Sequence, residues 1–296
     1  MWPEGKACAF VLTIPWESPP QSLYRTGGDQ RTSHRQMPQT AKYPVDMRTV
    51  YDHMYGERHG VSRLLDILEE RRVKASFAVS GQRLRDSADL VREVARRGHD
   101  LASQNWVHEY PVIYEEEEER TSLGDTAGEF QSLLGRRPTG YLSPGHRPTP
   151  GTLRHLMDLG YRWDADFMHA DSPLIVDDGK RQIVGMTSAK ISDYHTYSNG
   201  GRTPRSLHAM LTDGLRAACR EGGRGSAPMI GYAVHPHLCH GFRTEMLYDL
   251  LGEISEMTGV WVATGTEVAD WVLQNRSEFP TVSLTEVERD FPKMAV

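Results

Sequence analysis

From residue 61 onward the chain repeats one order of pattern: an alternating apolar run, then apolar positions at helical spacing. Val61, Leu64, Leu65 and Leu68 recur every three or four residues, as one face of a helix does. Val73, Ala75, Phe77 and Val79 then alternate, as a strand does. Ser87 can cap a further helix with Leu90, Val91 and Val94 on one face and Gly98 at its end. Residues 100–104 read as a short strand. A run of glutamates opens a predicted helix over 115–134, where it suits the positive end of the helix dipole, although Gly124 and Gly128 weaken that helix.

Three later helices carry start signals. Thr149-Pro150 is a cap with proline at the first helical position, ahead of Leu153, Leu156 and Met157, with Gly160 at the end. Thr203-Pro204 repeats the device before Leu207, Met210 and Leu211, and Thr266 precedes Glu267, Val268, Trp271 and Val272. Strands are predicted at 7–13, 229–234 and 260–264. Residues 15–50 are polar and rich in Pro, Gly, Gln and Arg, and read as a long loop, a lid or an oligomer arm. Residues 276–296 read as a C-terminal tail beyond a single domain over 1–275. Alternating strands and helices imply parallel strands with helical crossovers. With no glycine-rich dinucleotide fingerprint, the pattern favours an α/β class fold, a distorted (β/α) barrel of about seven strands. Chemistry in such barrels sits at the carboxyl ends of strands.

Composition narrows the partners. The 296 residues are 38% hydrophobic with a net charge of −6, a balance against a nucleic-acid surface, which needs clustered positive charge. The start, Met1-Trp2-Pro3-Glu4-Gly5-Lys6, does not read as a signal peptide, and no apolar run approaches a membrane span. Cys8, Cys219 and Cys239 are odd in number and widely spaced, which suits a reducing compartment. The expectation is a cytoplasmic protein with a small-molecule substrate, no nucleic acid, no membrane, and a homo-oligomeric state.

The strand ends supply the candidate chemistry. Glu17 is the carboxylate after the first strand, open to roles as base, ligand or solvated loop residue. Gln104, Trp106 and His108 follow the strand at 100–103. Gln104 and His108 are four residues apart, although glutamine is a poor transition-metal ligand. Pro144-Gly145 is a sharp turn that could aim His146 or Arg147 into a site. Asp164 and Asp166 could share a strand face, where two close carboxylates raise one pKa; Asp171 follows. His235, His237, Cys239 and His240 follow the apolar run 229–234. Their spacing is not that of a standard zinc motif, and one histidine acting as acid or base is the stronger reading.

Taken in order, several stretches resemble the polysaccharide deacetylase family, and within it the branch of cofactor-independent allantoinase and cyclic imide hydrolases. They are Gly5-Lys6 with Phe10-Val11-Leu12, Tyr51 to Gly60, Val73 to Phe77, Arg97 to Ser103, and Pro144 with the helix start at Thr149. Gly160-Tyr161 with Asp164, Asp166 and Pro173, then Val234-His235-Pro236 and Val260 to Thr264, complete the set. The resemblance implies a metal triad of one Asp and two His. Those positions fall on Glu17, Gln104 and His108, so only the second histidine is matched. The family's catalytic Asp falls near Pro15 and its Arg on Leu142, both absent. Its late histidine falls on His235, and Asp193 stands where the allantoinase branch places an acidic residue facing substrate.

The resemblance therefore implies a hydrolase of non-peptide C–N bonds in a small cyclic or linear amide, imide or ureide. Its metal site is degenerate, with no cofactor expected. Glu17, His108 and His235 are the expected catalytic residues; Gln104, Trp106, His146, Asp171 and Asp193 are the expected substrate contacts. If a divalent metal such as zinc is bound, Glu17 and His108 are its ligands. A metal-dependent N-deacetylase or deformylase of a sugar is the first alternative. A diverged binding protein or biosynthetic enzyme is the second.

Overall fold

The computed structural model describes residues 1–19, 42–43, 45–187, 190–198 and 203–293. Strand β1 (Cys8–Trp16) leads to helix α1 (Met47–Tyr55), a π-helical turn over 56–60, and α2 (Val61–Glu70). Then come β2 (Ser76–Val79), α3 (Gly81–Asp86), α4 (Ala88–Arg96), β3 (Asp100–Ser103) and α5 (Glu116–Leu134). Next are β4 (Gly140–Tyr141), α6 (Thr152–Leu159), β5 (Trp163–Asp164), β6 (Leu174–Asp177), β7 (Gln182–Gly185), β8 (Ile191–Ser192) and α7 (Asp193–Ser198). The chain continues through α8 (Pro204–Gly222), β9 (Met229–Ala233), α9 (Gly241–Glu256), β10 (Val260–Ala263), α10 (Gly265–Gln274), β11 (Thr281–Ser283) and α11 (Leu284–Lys293).

The strands form one sheet in the order β11-β6-β7-β5-β4-β3-β2-β1-β9-β8, with β10 also on β1. Every pairing is parallel except β6 with β7. This is the expected α/β architecture, a distorted barrel whose sheet does not close. Strand β1 is its hub. Residues Cys8–Val11 pair with β10, Ala9–Thr13 with β9 and Thr13–Trp16 with β2. Its two faces alternate as a strand must. Cys8, Phe10, Leu12, Ile14 and Trp16 pack with α2, α4, α8 and α9, while Ala9 and Val11 face a second cluster with Ala78, Ala102 and Trp163. The apolar stripe of α2 is buried as its spacing predicts, each such side chain contributing roughly 1.5–3 kcal/mol.

Several boundaries differ from the pattern-based expectations. Strand β1 runs on through Pro15 and Trp16, so the polar loop starts later; its reading as a lid or arm falls largely on residues 20–41, outside the described residues. The cap of α10 is Thr264, paired with Glu267 in a capping box, not Thr266. Thr149-Pro150 forms a turn ahead of α6, in which the Thr149 hydroxyl accepts the Gly151 N–H. The α5 glycines face open space, so a helix carrying two of them loses only local propensity. The hairpin of β6 and β7 was not expected, although its turn, Asp177-Asp178-Gly179 with Gly179 at φ +85°, carries a turn signal. The expected tail is also corrected: residues 281–283 pair with β6, and α11 buries Leu284 in the cluster of Leu153 and Leu156. The three cysteines are free thiols, Cys8 and Cys219 with sulfurs 3.4 Å apart.

Candidate active site

Parallel strands bring distant residues to one rim. β1 ends into Glu17, β3 leads through Gln104 to His108, β8 ends into Asp193, and β9 leads to His235. Because β8 pairs with β9 at Tyr232 and Ala233, Asp193 emerges beside His235. The rim is fixed by backbone contacts. The His108 N–H donates to the Ser18 carbonyl at 2.7 Å, and the Ser18 N–H donates to the Ser80 hydroxyl at 3.1 Å.

At the centre, Glu17 Oε1 lies 3.1 Å from His108 Nε2 and 3.6 Å from His235 Nε2. The first is a hydrogen bond; the second is within ion-pair reach but too long for a good hydrogen bond. His235 Nδ1 stands 2.6 Å from Asp193 Oδ1, and the His235 backbone N–H donates to Asp193 Oδ2 at 2.9 Å. One carboxylate thus fixes both ring and backbone, and leaves Nε2 aimed at Glu17. Asp193 and His235 are buried, and Glu17 and His108 are half-buried.

The charges follow from this packing. Burial alone would lower the His235 pKa, but Asp193 first and Glu17 second reverse this and push it up to about 10. Burial alone would raise the Glu17 pKa, yet His108 and then His235 hold its carboxyl well below the usual value. At neutral pH the centre is therefore a protonated His235 between two carboxylates.

His53 of α1 enters from the rim, its ring 5.0 Å from that of His237. Burial, then the neighbouring His237, pushes its pKa down to about 3, so it stays neutral. Arg83 of α3 donates from Nε to the Glu17 carbonyl at 3.0 Å and pairs with Glu57 at 3.1 Å, which ties Glu57 to support. Tyr194 lies 5.8 Å from the His235 ring and Tyr110 lies 6.0 Å from that of His108. Sequence reasoning did not single out His53, Tyr110, Tyr194 or Arg83. Only His53 carried a usable signal, sitting one helical turn before Glu57.

Other expected contacts are placed differently. Gln104 is buried with its carbonyl accepting the Ser80 hydroxyl at 3.2 Å. The Trp106 ring packs against Gly81 and under Arg85, and serves the α3–α5 contact rather than the centre. Asp171 lies at the opposite end of the barrel, where its carbonyl accepts the N–H of Met229, the first residue of β9. Its exposed side chain stands 3.5 Å from Lys190. His146 does reach the rim, with Nδ1 3.2 Å from Asp166 Oδ1. Asp164 sits beside Asp166, and burial first and that neighbour second hold its pKa well up.

The family model for polysaccharide deacetylases matches residues 47–163. Over that stretch the chain is similar to polysaccharide deacetylases. The likeness of fold extends over nearly the whole chain. A Mycobacterium smegmatis protein provisionally assigned as a polysaccharide deacetylase superposes with a TM-score of 0.79 at 26% identity, covering 93% of each chain. PuuE allantoinase superposes with a TM-score of 0.81 at 18% identity, also over 93% of each. A peptidoglycan deacetylase of Helicobacter pylori is 24% identical over 112 residues, 38% of either chain, so the domain match spans well under half of that relative.

The deacetylase resemblance implies a metal, and the donors of this domain do not fit one. Gln104 is engaged with Ser80, and the imidazoles of His108 and His235 both point at one oxygen of Glu17. Among the described residues no three His, Cys, Asp or Glu side chains are placed to hold an ion. Among the same residues no helix is long and apolar enough to cross a membrane.

Proposed function

We propose that this protein hydrolyses a non-peptide C–N bond in a small cyclic or linear amide, imide or ureide, without a metal. The observation that carries the reading is the Asp193–His235–Glu17 line, with spacings of 2.6 and 3.6 Å. Amide cleavage needs an activated water and a proton for the leaving nitrogen. His235 is protonated across the neutral range and presents Nε2 toward the rim, so it donates that proton. Asp193 holds the ring and its tautomer, as an aspartate does behind a catalytic histidine. Glu17 is ionised and accepts a proton from water. A substrate that enters beside it and loosens its contact with His108 raises its basicity. His108 then steadies the developing oxyanion by donating from Nε2. The likeness of fold to PuuE allantoinase agrees with this chemistry.

The resemblance to peptidoglycan and chitooligosaccharide deacetylases supports a second reading, removal of an acetyl group from an amino sugar with a divalent metal. One experiment separates the two. Cyclic imides, hydantoins, ureides and N-acetylglucosamine oligomers are offered to protein purified without chelator, with and without EDTA, alongside metal analysis. Turnover of an imide or ureide that survives EDTA is the expected result. Stoichiometric zinc with EDTA-sensitive deacetylation replaces the reading with the second one, and tight binding without turnover replaces it with a binding protein.

A further inference from the structure

The turn after β4 is built at a cost in backbone conformation, and nothing in the proposed hydrolysis uses it. Gly145 has φ +66° and the next residue, His146, has φ +53°. A side chain at Gly145 would strike the Tyr110 ring, its Cβ falling 2.5 Å from the nearest ring carbon. A left-handed histidine is uncommon, and such strain persists only where the surroundings hold it. Asp166 supplies the hold, taking His146 Nδ1 on one oxygen and the Ser143 N–H on the other. The result is the placement of Arg147, whose guanidinium carbon lies 5.0 Å from the centre of the Tyr110 ring.

Tyr110 is the wall between Arg147 and the proton-transfer groups. Its ring meets that of His108 edge-on at 6.0 Å, and its hydroxyl feels both Arg147 and Glu17. One tyrosine ring therefore separates the cation from His108. The two arginines differ in commitment. Arg83 is held by Glu57 and the Glu17 carbonyl, whereas among the described residues no carboxylate lies within ion-pair distance of Arg147. A guanidinium stacked on an aromatic face keeps its edge N–H donors outward, in a fork that matches a carboxylate.

We propose that Arg147, fixed on Tyr110 by the strained 144–147 turn, binds a carboxylate of the substrate, so that the preferred substrates are amides or imides that carry an acid group. The proposal rests on the hydrolytic reading for the amide and on Arg147 alone for the acid. Calorimetric binding of succinamate and of its neutral counterpart succinamide tests it, with ammonia release followed in parallel. Wild-type protein is expected to bind succinamate at least about tenfold more tightly, the scale of one charge-assisted contact. Arg147→Gln is expected to remove the preference while leaving succinamide binding and the far-ultraviolet spectrum unchanged; Arg147→Lys is expected to restore part of it. Equal binding of the two probes by wild type, binding of neither, or an undiminished preference in Arg147→Gln overturns the proposal. Preference for succinamate without ammonia release leaves the acid site standing and removes the hydrolysis.

Discussion

Two aspartate–histidine pairs stand on the same rim, and they are built alike. Asp193 gives one oxygen to a ring nitrogen of His235 and the other to that residue's backbone N–H. Asp166 gives one oxygen to a ring nitrogen of His146 and the other to the N–H of Ser143. What differs is the third neighbour. His235 faces Glu17, is buried, and is pushed up to about 10, so the pair stores a proton. His146 faces the rim at φ +53°, and Asp166 stands beside the buried Asp164, so that pair fixes a turn. Function follows from what lies on the far side of the ring.

The sharpest break of this comparison is His235→Ala. Removing a general acid costs about 10²- to 10⁴-fold in kcat, and the buried Asp193 left without its partner lowers the thermal transition while the protein stays folded at assay temperature. Activity near that of wild type on the best substrate would take His235 out of the mechanism. Asp193→Asn comes next. Asp193 raises the His235 pKa, so its loss lets that pKa fall, and the alkaline limb of kcat/KM moves from near 10 toward the ordinary histidine value of 6.5. The same linkage has a stability sign: the pair's contribution is complete below about 6.5 and is lost as pH rises through about 10. Wild type and variant therefore converge in stability at high pH, which thermal melts across pH will show.

Gly60→Ala perturbs the support under His235 without touching its chemistry. An added Cβ would sit 2.0 Å from the Pro236 carbonyl oxygen, so the backbone must shift, at a cost of about 1–3 kcal/mol by denaturant melt. The smallest effect is expected for His146→Gly. Glycine accepts φ +53° without strain, so stability changes by less than about 1 kcal/mol and the alkaline limb stays in place. A shift of that limb in His146→Gly would end the division of labour between the two pairs.

The convergence of Glu17, His108, Asp193 and His235 was legible because each follows an apolar run that could only be a strand, and barrel strands share one functional end. Asp171 misled because a lone aspartate in a loop carries no mark of which end of the sheet it serves; here it serves the amino end. Trp106 misled because an aromatic beside a candidate histidine looks the same whether it meets substrate or a glycine of the next helix. The two-residue strands β4, β5 and β8 are too short to show a period, so the strand count was underread. His53 reaches the site only because α1 folds back onto the loop after β9, and no local pattern reports a contact between segments 184 residues apart.

That fold-back comes closest at two residues with no side chain. Gly56 meets His237 and Gly60 meets Pro236, backbone against backbone. Side chains of the helix add to this seam: the Tyr55 hydroxyl donates to the Cys239 carbonyl, the Tyr55 ring stacks on His240, and His53 lies against His237. Tyr51, exposed on the same helix, can be exchanged while the donor keeps its place. The rim helix works as a faceplate bolted to the donor's loop, and those glycines together with His53 and Tyr55 are what a redesign of this site must leave alone.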